Sequence, residues 1–263
     1  MNFLRGSVLR RALRLLWVAL IALAAGSVLS VGVALHSPNR DIPRAEEADD
    51  IARQIGAKWT GAQVKAADGH AAFLLRAGFA VLAPDLRAHG ASGGEIITYG
   101  IKEASDVHAW ANRLFENQPV QHLYGLGPSL GGAVLLQSLP QEARFRAVVA
   151  DCPFATFEEA AYDRMSRISR LPAAVFWPVV QTGFLYARLR YGIDLRQASP
   201  AATIRATAVP ILLIHGTADS HISVRQSREL HALNPNVTHY GRSKVLSMLQ
   251  ASGKNRKRTP SEL

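Results

Sequence analysis

Residues 124–139 read YGLGPSLGGAVLLQSL. Gly, Pro, Ser and a Gly-Gly pair stand between an apolar run and a run of helix formers, where each of them weakens both neighbours. Gly127-Pro128-Ser129-Leu130-Gly131 has the form G-x-S-x-G. Between a strand and a helix, this pattern makes a sharp turn that strains its central residue and needs small flanks so that the chains can approach. The strain lifts the Ser129 hydroxyl above the sheet and aims the Leu130 amide, at the helix N-terminus, toward a developing oxyanion. A dinucleotide-binding loop fits worse: counted from Gly125 and Gly127, its third glycine falls on Leu130.

The surrounding pattern supplies the strand and the helix. Helix-like HAAFLLRAG (70–78) leads to FAVLAPD (79–85), expected as a strand, and then to the Gly-rich loop RAHGASGG (87–94). An amphipathic segment over 100–117 places Ile101, Ala104, Val107, Ala111, Leu114 and Phe115 near one face. Strands follow at 120–126, 146–152 and 209–216, with NVTHY (236–240) as a later one and SRELHAL (227–233) as a helix. Short apolar strands separated by helices predict an α/β fold, a mostly parallel sheet flanked by helices. Between residues 153 and 208 the alternation stops. That aromatic and basic stretch, interrupted by Pro172 and Pro178, predicts short helices forming a lid at the C-terminal edge of the sheet.

The chain has 263 residues and a formal net charge of +10. The excess lies in two tails: Arg5, Arg10, Arg11 and Arg14 at one end, and Arg242, Lys244, Lys254, Arg256, Lys257 and Arg258 at the other, with no acid in either. The body between them is balanced, so a nucleic-acid partner is not expected, although a basic-tailed adaptor remains an alternative for the KNRKR end. The single cysteine, Cys152, rules out an internal disulfide, and no metal-ligand spacing surrounds it. No cofactor or metal is expected.

Residues 15–35 (LLWVALIALAAGSVLSVGVAL) carry no charge and are long enough to cross a bilayer as a helix. Four preceding arginines predict a cytoplasmic N-terminus and an extracytoplasmic body. A cleaved signal peptide competes, but its apolar region is usually about 7–15 residues. The expected organisation is a basic terminus (1–14), a transmembrane anchor (15–35), a linker with a helix over 41–55 and a strand over 59–66 (36–69), an α/β core (70–241), and a basic tail (242–263).

A serine nucleophile needs a base, and the base an orienting carboxylate. Asp219 follows VPILLIHG in the loop GTAD, at the sheet edge where Ser129 emerges. Taken together, PDLRAHGASGG (84–94), GLGPSLGGA and VPILLIHGTAD resemble, in order, three signatures of the α/β-hydrolase superfamily, in particular the bacterial serine hydrolases of the serine aminopeptidase and lipase-like groups. The resemblance implies Ser129 as nucleophile, Leu130 N–H as an oxyanion donor and Asp219 as the triad acid. Asp85, Arg87 and His89 become loop-positioning residues. It implies cofactor-free hydrolysis of an ester, amide or peptide, with a small-molecule or peptide acyl group as substrate.

Two departures from the family pattern stand out. The family's strand ending in an HG-type motif, whose following loop gives the second oxyanion amide, precedes the helix at 70–78. Here Asp68-Gly69 runs straight into that helix, so one central strand is missing. The family's triad histidine follows the last strand, some 25–35 residues after the acid, and residues 244–254 contain none. His221, His231 and His239 remain, and His239 is the expected base. The alternative is a catalytically impaired or truncated homologue, or a binding protein on the same fold.

Overall fold

The computed structural model describes residues 2–36, 68–90 and 92–243. The helix expected at 41–55, the strand at 59–66 and the tail from 244 lie outside the described residues.

Four strands, β1 (Leu123–Pro128), β2 (Phe145–Asp151), β3 (Ile211–Gly216) and β4 (Thr238–Ser243), form a parallel sheet in the order β1-β2-β3-β4. The register sets Pro128, Asp151, Ile214 and Gly241 on one level. Two residues earlier it sets Leu126, Val149, Leu212 and His239 on another. β4 extends to Ser243, two residues into the expected tail. Helices α2 (Asp68–Arg76), α3 (Glu103–Asn117), α4 (Leu130–Ser138) and α8 (Val224–Leu233) match the expected segments.

The strand expected at 79–85 does not form. A strand needs a neighbour to take its backbone groups, and among the described residues no strand pairs with this segment. The segment stays beside β1, with the Phe79 ring edge-on to Tyr124 at 6.0 Å, and both side chains half exposed. Among the described residues, no strand pairs with the outer side of β1.

The main core fills the space between the sheet and helices α4 and α8. Leu136, Ile211, Leu213 and Leu230 are fully buried there, each stabilising the fold by about 1.5–3 kcal/mol relative to exposure. The expected lid consists of α5 (Phe157–Ser169), a 3₁₀ turn (Ala173–Phe176), α6 (Trp177–Tyr191), a second 3₁₀ turn (Leu195–Gln197) and α7 (Pro200–Ile204). Pro178 and Pro200 sit in the first turns of α6 and α7, where a missing N–H costs nothing, so they start helices rather than break them. Thr156 caps α5 by accepting from Glu159 N at 3.2 Å.

α1 (Asn2–Leu35) is a single helix that packs along α6. Leu35, Val180, Phe184, Ala187 and Leu195 form a second apolar cluster, separate from the core on the sheet. Tyr99 ties this cluster to the body. Its hydroxyl donates to Ala34 O at 2.6 Å, and its ring stacks on Phe157 at 3.9 Å. Burial raises the Tyr99 phenol to about 12. Among the described residues no helix is long and apolar enough to cross a membrane. In α1, side chains are described at Trp17, at Val18 and from Ile21 onward. The transmembrane expectation for residues 15–35 gains no support from the fold.

Candidate active site

β1 delivers the chain to Ser129, and α4 begins at the next residue. Ser129 has φ 51° and ψ −116°, a conformation that costs a non-glycine residue about 1–3 kcal/mol. Its amide donates to Asp151 O at 2.7 Å, and its carbonyl accepts from Ala133 N at 3.1 Å. These bonds anchor the turn while its side chain stays exposed. Leu130 opens the helix, so its N–H has no intrahelical acceptor and adds to the positive end of the dipole.

The glycines explain themselves by contact. A Cβ on Gly127 would lie 2.4 Å from the Gly131 carbonyl carbon, and one on Gly132 would lie 2.7 Å from Gly127 O. A Cβ on Gly131 would meet only Pro128 Cδ, at 3.6 Å. Strand and helix therefore touch backbone to backbone, through Gly127 and Gly132. The pentapeptide pattern does not include Gly132; the Gly-Gly doublet was its signal.

Asp219 stands in the loop after β3, at the same C-terminal edge as Ser129. Its amide donates to Gly216 O at 3.1 Å, and its Oδ1 accepts from His221 N at 2.7 Å and Ile222 N at 3.0 Å. Arg167 of α5 donates to its carbonyl at 2.9 Å. The carboxylate is thus held by its own loop.

His239 is not brought to Ser129. It lies on β4 at the level of Leu126, with its side chain exposed. That position is about 10 Å back along the strands and about 14 Å across three of them. The expectation of His239 as base is corrected on this geometry. The strand was read properly, but its register carries His239 to the wrong level. His231 is also occupied, bonding Thr238 Oγ1 through Nδ1 at 2.8 Å. Two histidines do stand near the edge: His221, adjacent to the acid, and His70 of α2, whose field acts on Asp151.

Two buried groups escaped the sequence reading. Asp151, at the end of β2, has its pKa raised chiefly by burial, and its Oδ2 has no partner among the described residues. His215, at the end of β3, bonds Ser227 Oγ at 2.7 Å and Ile222 O at 3.2 Å. Burial lowers its pKa. Cys152, His215 and Asp219 come within 4.8 Å of one another. They do not suit a metal, because both imidazole nitrogens are engaged and burial pushes the Cys152 thiol far up, disfavouring thiolate.

The loop residues behave as positioning groups. Arg87 holds Asp106 of α3 through Nε at 2.7 Å and Nη2 at 2.5 Å, and His89 Nδ1 bonds Arg87 O at 2.9 Å. A Cβ on Gly90 would overlap the Asp85 carboxylate, which fixes the tightness of that turn.

A profile of the prolyl oligopeptidase family matches residues 66–240. The chain belongs to the prolyl oligopeptidase family. This is a family of serine hydrolases on the α/β-hydrolase fold, which places the expected superfamily membership within a named branch. The chain is 33% identical over 157 residues to the uncharacterized protein YqkD of Bacillus subtilis, covering 59% of this chain and 50% of that protein. It thus spans about half the length of this curated relative. Among solved structures, the esterase Pf2001 of Pyrococcus furiosus matches in two crystal forms. One has 24% identity and a TM-score of 0.54, covering 70% of this chain and 69% of the esterase. The other has 25% identity and a TM-score of 0.51, covering 70% and 68%.

Proposed function

We propose that this chain is a serine hydrolase that cleaves an ester, amide or peptide bond through an acyl-enzyme on Ser129. The observation that carries the reading is the strained, exposed Ser129 at the tip of β1, backed by family membership. Ser129 Oγ attacks the acyl carbon, and the Leu130 N–H stabilises the oxyanion. The hydroxyl proton passes to a base oriented by Asp219 and then to the leaving group, after which water releases the acyl group. Membrane attachment through residues 15–35 belongs to the same reading, with a cytoplasmic N-terminus and the hydrolase body on the far side. The four arginines before the uncharged run support it. Carbonate extraction followed by protease protection tests it. A soluble chain, or a body protected with the cytoplasm, overturns the topology.

A fluorophosphonate probe tests the chemistry, because it reacts with a serine activated by a base. Labelling of the wild type and its loss in Ser129→Ala is the expected result. His70→Ala and His221→Ala then identify the base by which of them abolishes labelling. A second reading, a catalytically impaired homologue, is favoured by the position of His239. Folded wild-type protein that stays unlabelled supports this second reading and sinks the first.

A further inference from the structure

The carboxylate at the end of β2 carries an oxygen that nothing fills. Asp151 is 4% exposed, its Oδ1 accepts from Cys152 Sγ at 3.2 Å, and its buried Oδ2 has no hydrogen-bond partner among the described residues. Such an oxygen costs stability and does nothing to hold the fold. Asp151 is also tied to the nucleophile. Its carbonyl accepts from the Ser129 amide at 2.7 Å, and the register sets it level with Pro128. The other carboxylate of this edge is already engaged: Asp219 Oδ1 takes two amides of its own loop, and Oδ2 stands 3.8 Å from the buried His215 ring.

His70 is the complementary group. Its side chain is partly buried, and its ring makes no hydrogen bond among the described residues. Phe79, just past the end of α2, sits against Tyr124 near the start of β1. The nine residues of α2 span about 13 Å, against roughly 17 Å of strand between Tyr124 and Ser129. The helix is thus long enough to bring His70, in its first turn, back to the C-terminal edge of the sheet. There its charge acts on Asp151.

We propose that His70 is the base of this site and that Asp151 is its positioning residue, with Oδ2 receiving the N–H of the imidazole. The proposal rests on the serine-hydrolase reading above and deepens it. One ring nitrogen of His70 takes the proton of Ser129 Oγ as that oxygen bonds the acyl carbon, and later gives it to the leaving group. The other nitrogen keeps its proton on Asp151. The carboxylate stays ionised and offsets the imidazolium charge, with the negative charge of Asp219 behind it. The bond from imidazole to carboxylate closes when substrate seats, as catalytic hydrogen bonds tighten in the loaded site.

The test follows fluorophosphonate labelling of the full chain against pH, with urea midpoints as the check on folding. Asp151→Asn keeps the size of the side chain and an oxygen for Cys152, so its midpoint should not fall. Its labelling should drop by at least about tenfold, and the acid limb of the profile should move to lower pH, because the imidazolium loses the carboxylate that favours it. His70→Ala should lose about a hundredfold or more and recover part of it in added imidazole. Asp151→Asn that labels within twofold of the wild type on an unmoved profile overturns the role of Asp151. Labelling kept in His70→Ala and lost in His221→Ala overturns that of His70. Nitrogen-15 NMR of the His70 ring, assigned with His70→Gln, reads the pair without any reaction, and its signals should move in Asp151→Asn. Unmoved signals overturn the pairing whether or not Ser129 labels. Signals that move in a wild type that stays unlabelled sink the serine-hydrolase reading, and His70 as base with it, while the pair itself stands.

Discussion

The two ends of the sheet present opposite cases. At β1, one short stretch supplies the strand, the strained serine, the helix and the glycines that let them touch, all within 16 residues of chain. At β4, the register runs without a shift, with His239 paired to Leu212, but nothing in it aims a histidine at the serine. The elbow is a local object and survives wherever its own residues survive. A triad is assembled from distant segments and fails when any one of them is displaced.

The sharpest way to break this comparison is Gly127→Val. A side chain there collides with the backbone of Gly131, which cannot retreat without moving α4. The expected loss exceeds about 3 kcal/mol in urea unfolding, with Ser129 labelling abolished. A variant that unfolds like the wild type means the strand and helix do not meet as described.

At the acid end, His215 is the sensitive point. Its pKa is lowered by burial, so the folded state holds it neutral while the unfolded chain protonates it below about 6.5. Its contribution is complete above that value and declines as pH falls toward the folded pKa. The urea midpoint of the wild type should therefore fall between pH 7.5 and 5.5 by more than that of His215→Gln. Parallel curves for the two proteins assign the pH dependence to other groups.

Tyr99→Phe removes one hydrogen bond that ties α1 to the body, to Ala34 O. A cost of about 1 kcal/mol is expected, with labelling of Ser129 unchanged, since only the Tyr99 carbonyl meets α4, accepting from Gln137 Nε2 at 2.9 Å, and the substitution leaves that bond in place. The smallest effect belongs to His239→Ala. Its side chain is exposed and far from Ser129, so stability should stay within about 0.5 kcal/mol and labelling within twofold. A tenfold loss restores His239 as base and refutes the register of β4.

Much of this was legible in the chain because the relevant signals are local. VVA and ILLI announce buried strands wherever they sit, and G-P-S-L-G carries its own turn. FAVLAPD reads as a strand by the same rule and is not one, because a ladder is a property of two segments and no strand pairs with it among the described residues. The docking of α1 on α6 was illegible for a different reason. Residues 15–35 are apolar on every side, so no stripe marks which face meets protein. The convergence of Cys152, His215 and Asp219 at one edge was hidden because only strand order, not composition, brings Cys152 beside the other two.

Tyr99 has a bearing on the order of assembly. Its partner Ala34 lies 65 residues earlier in the chain, and the α6 contacts of α1 come from residues 180–191, far later still. Contacts of such sequence separation close late, because the intervening loop must be paid for first in entropy. α1 thus leaves the ribosome well before its native neighbours and is among the last helices to reach them. Until α6 has been made, the side of α1 that carries Val31 and Leu35 has no native partner there to cover it.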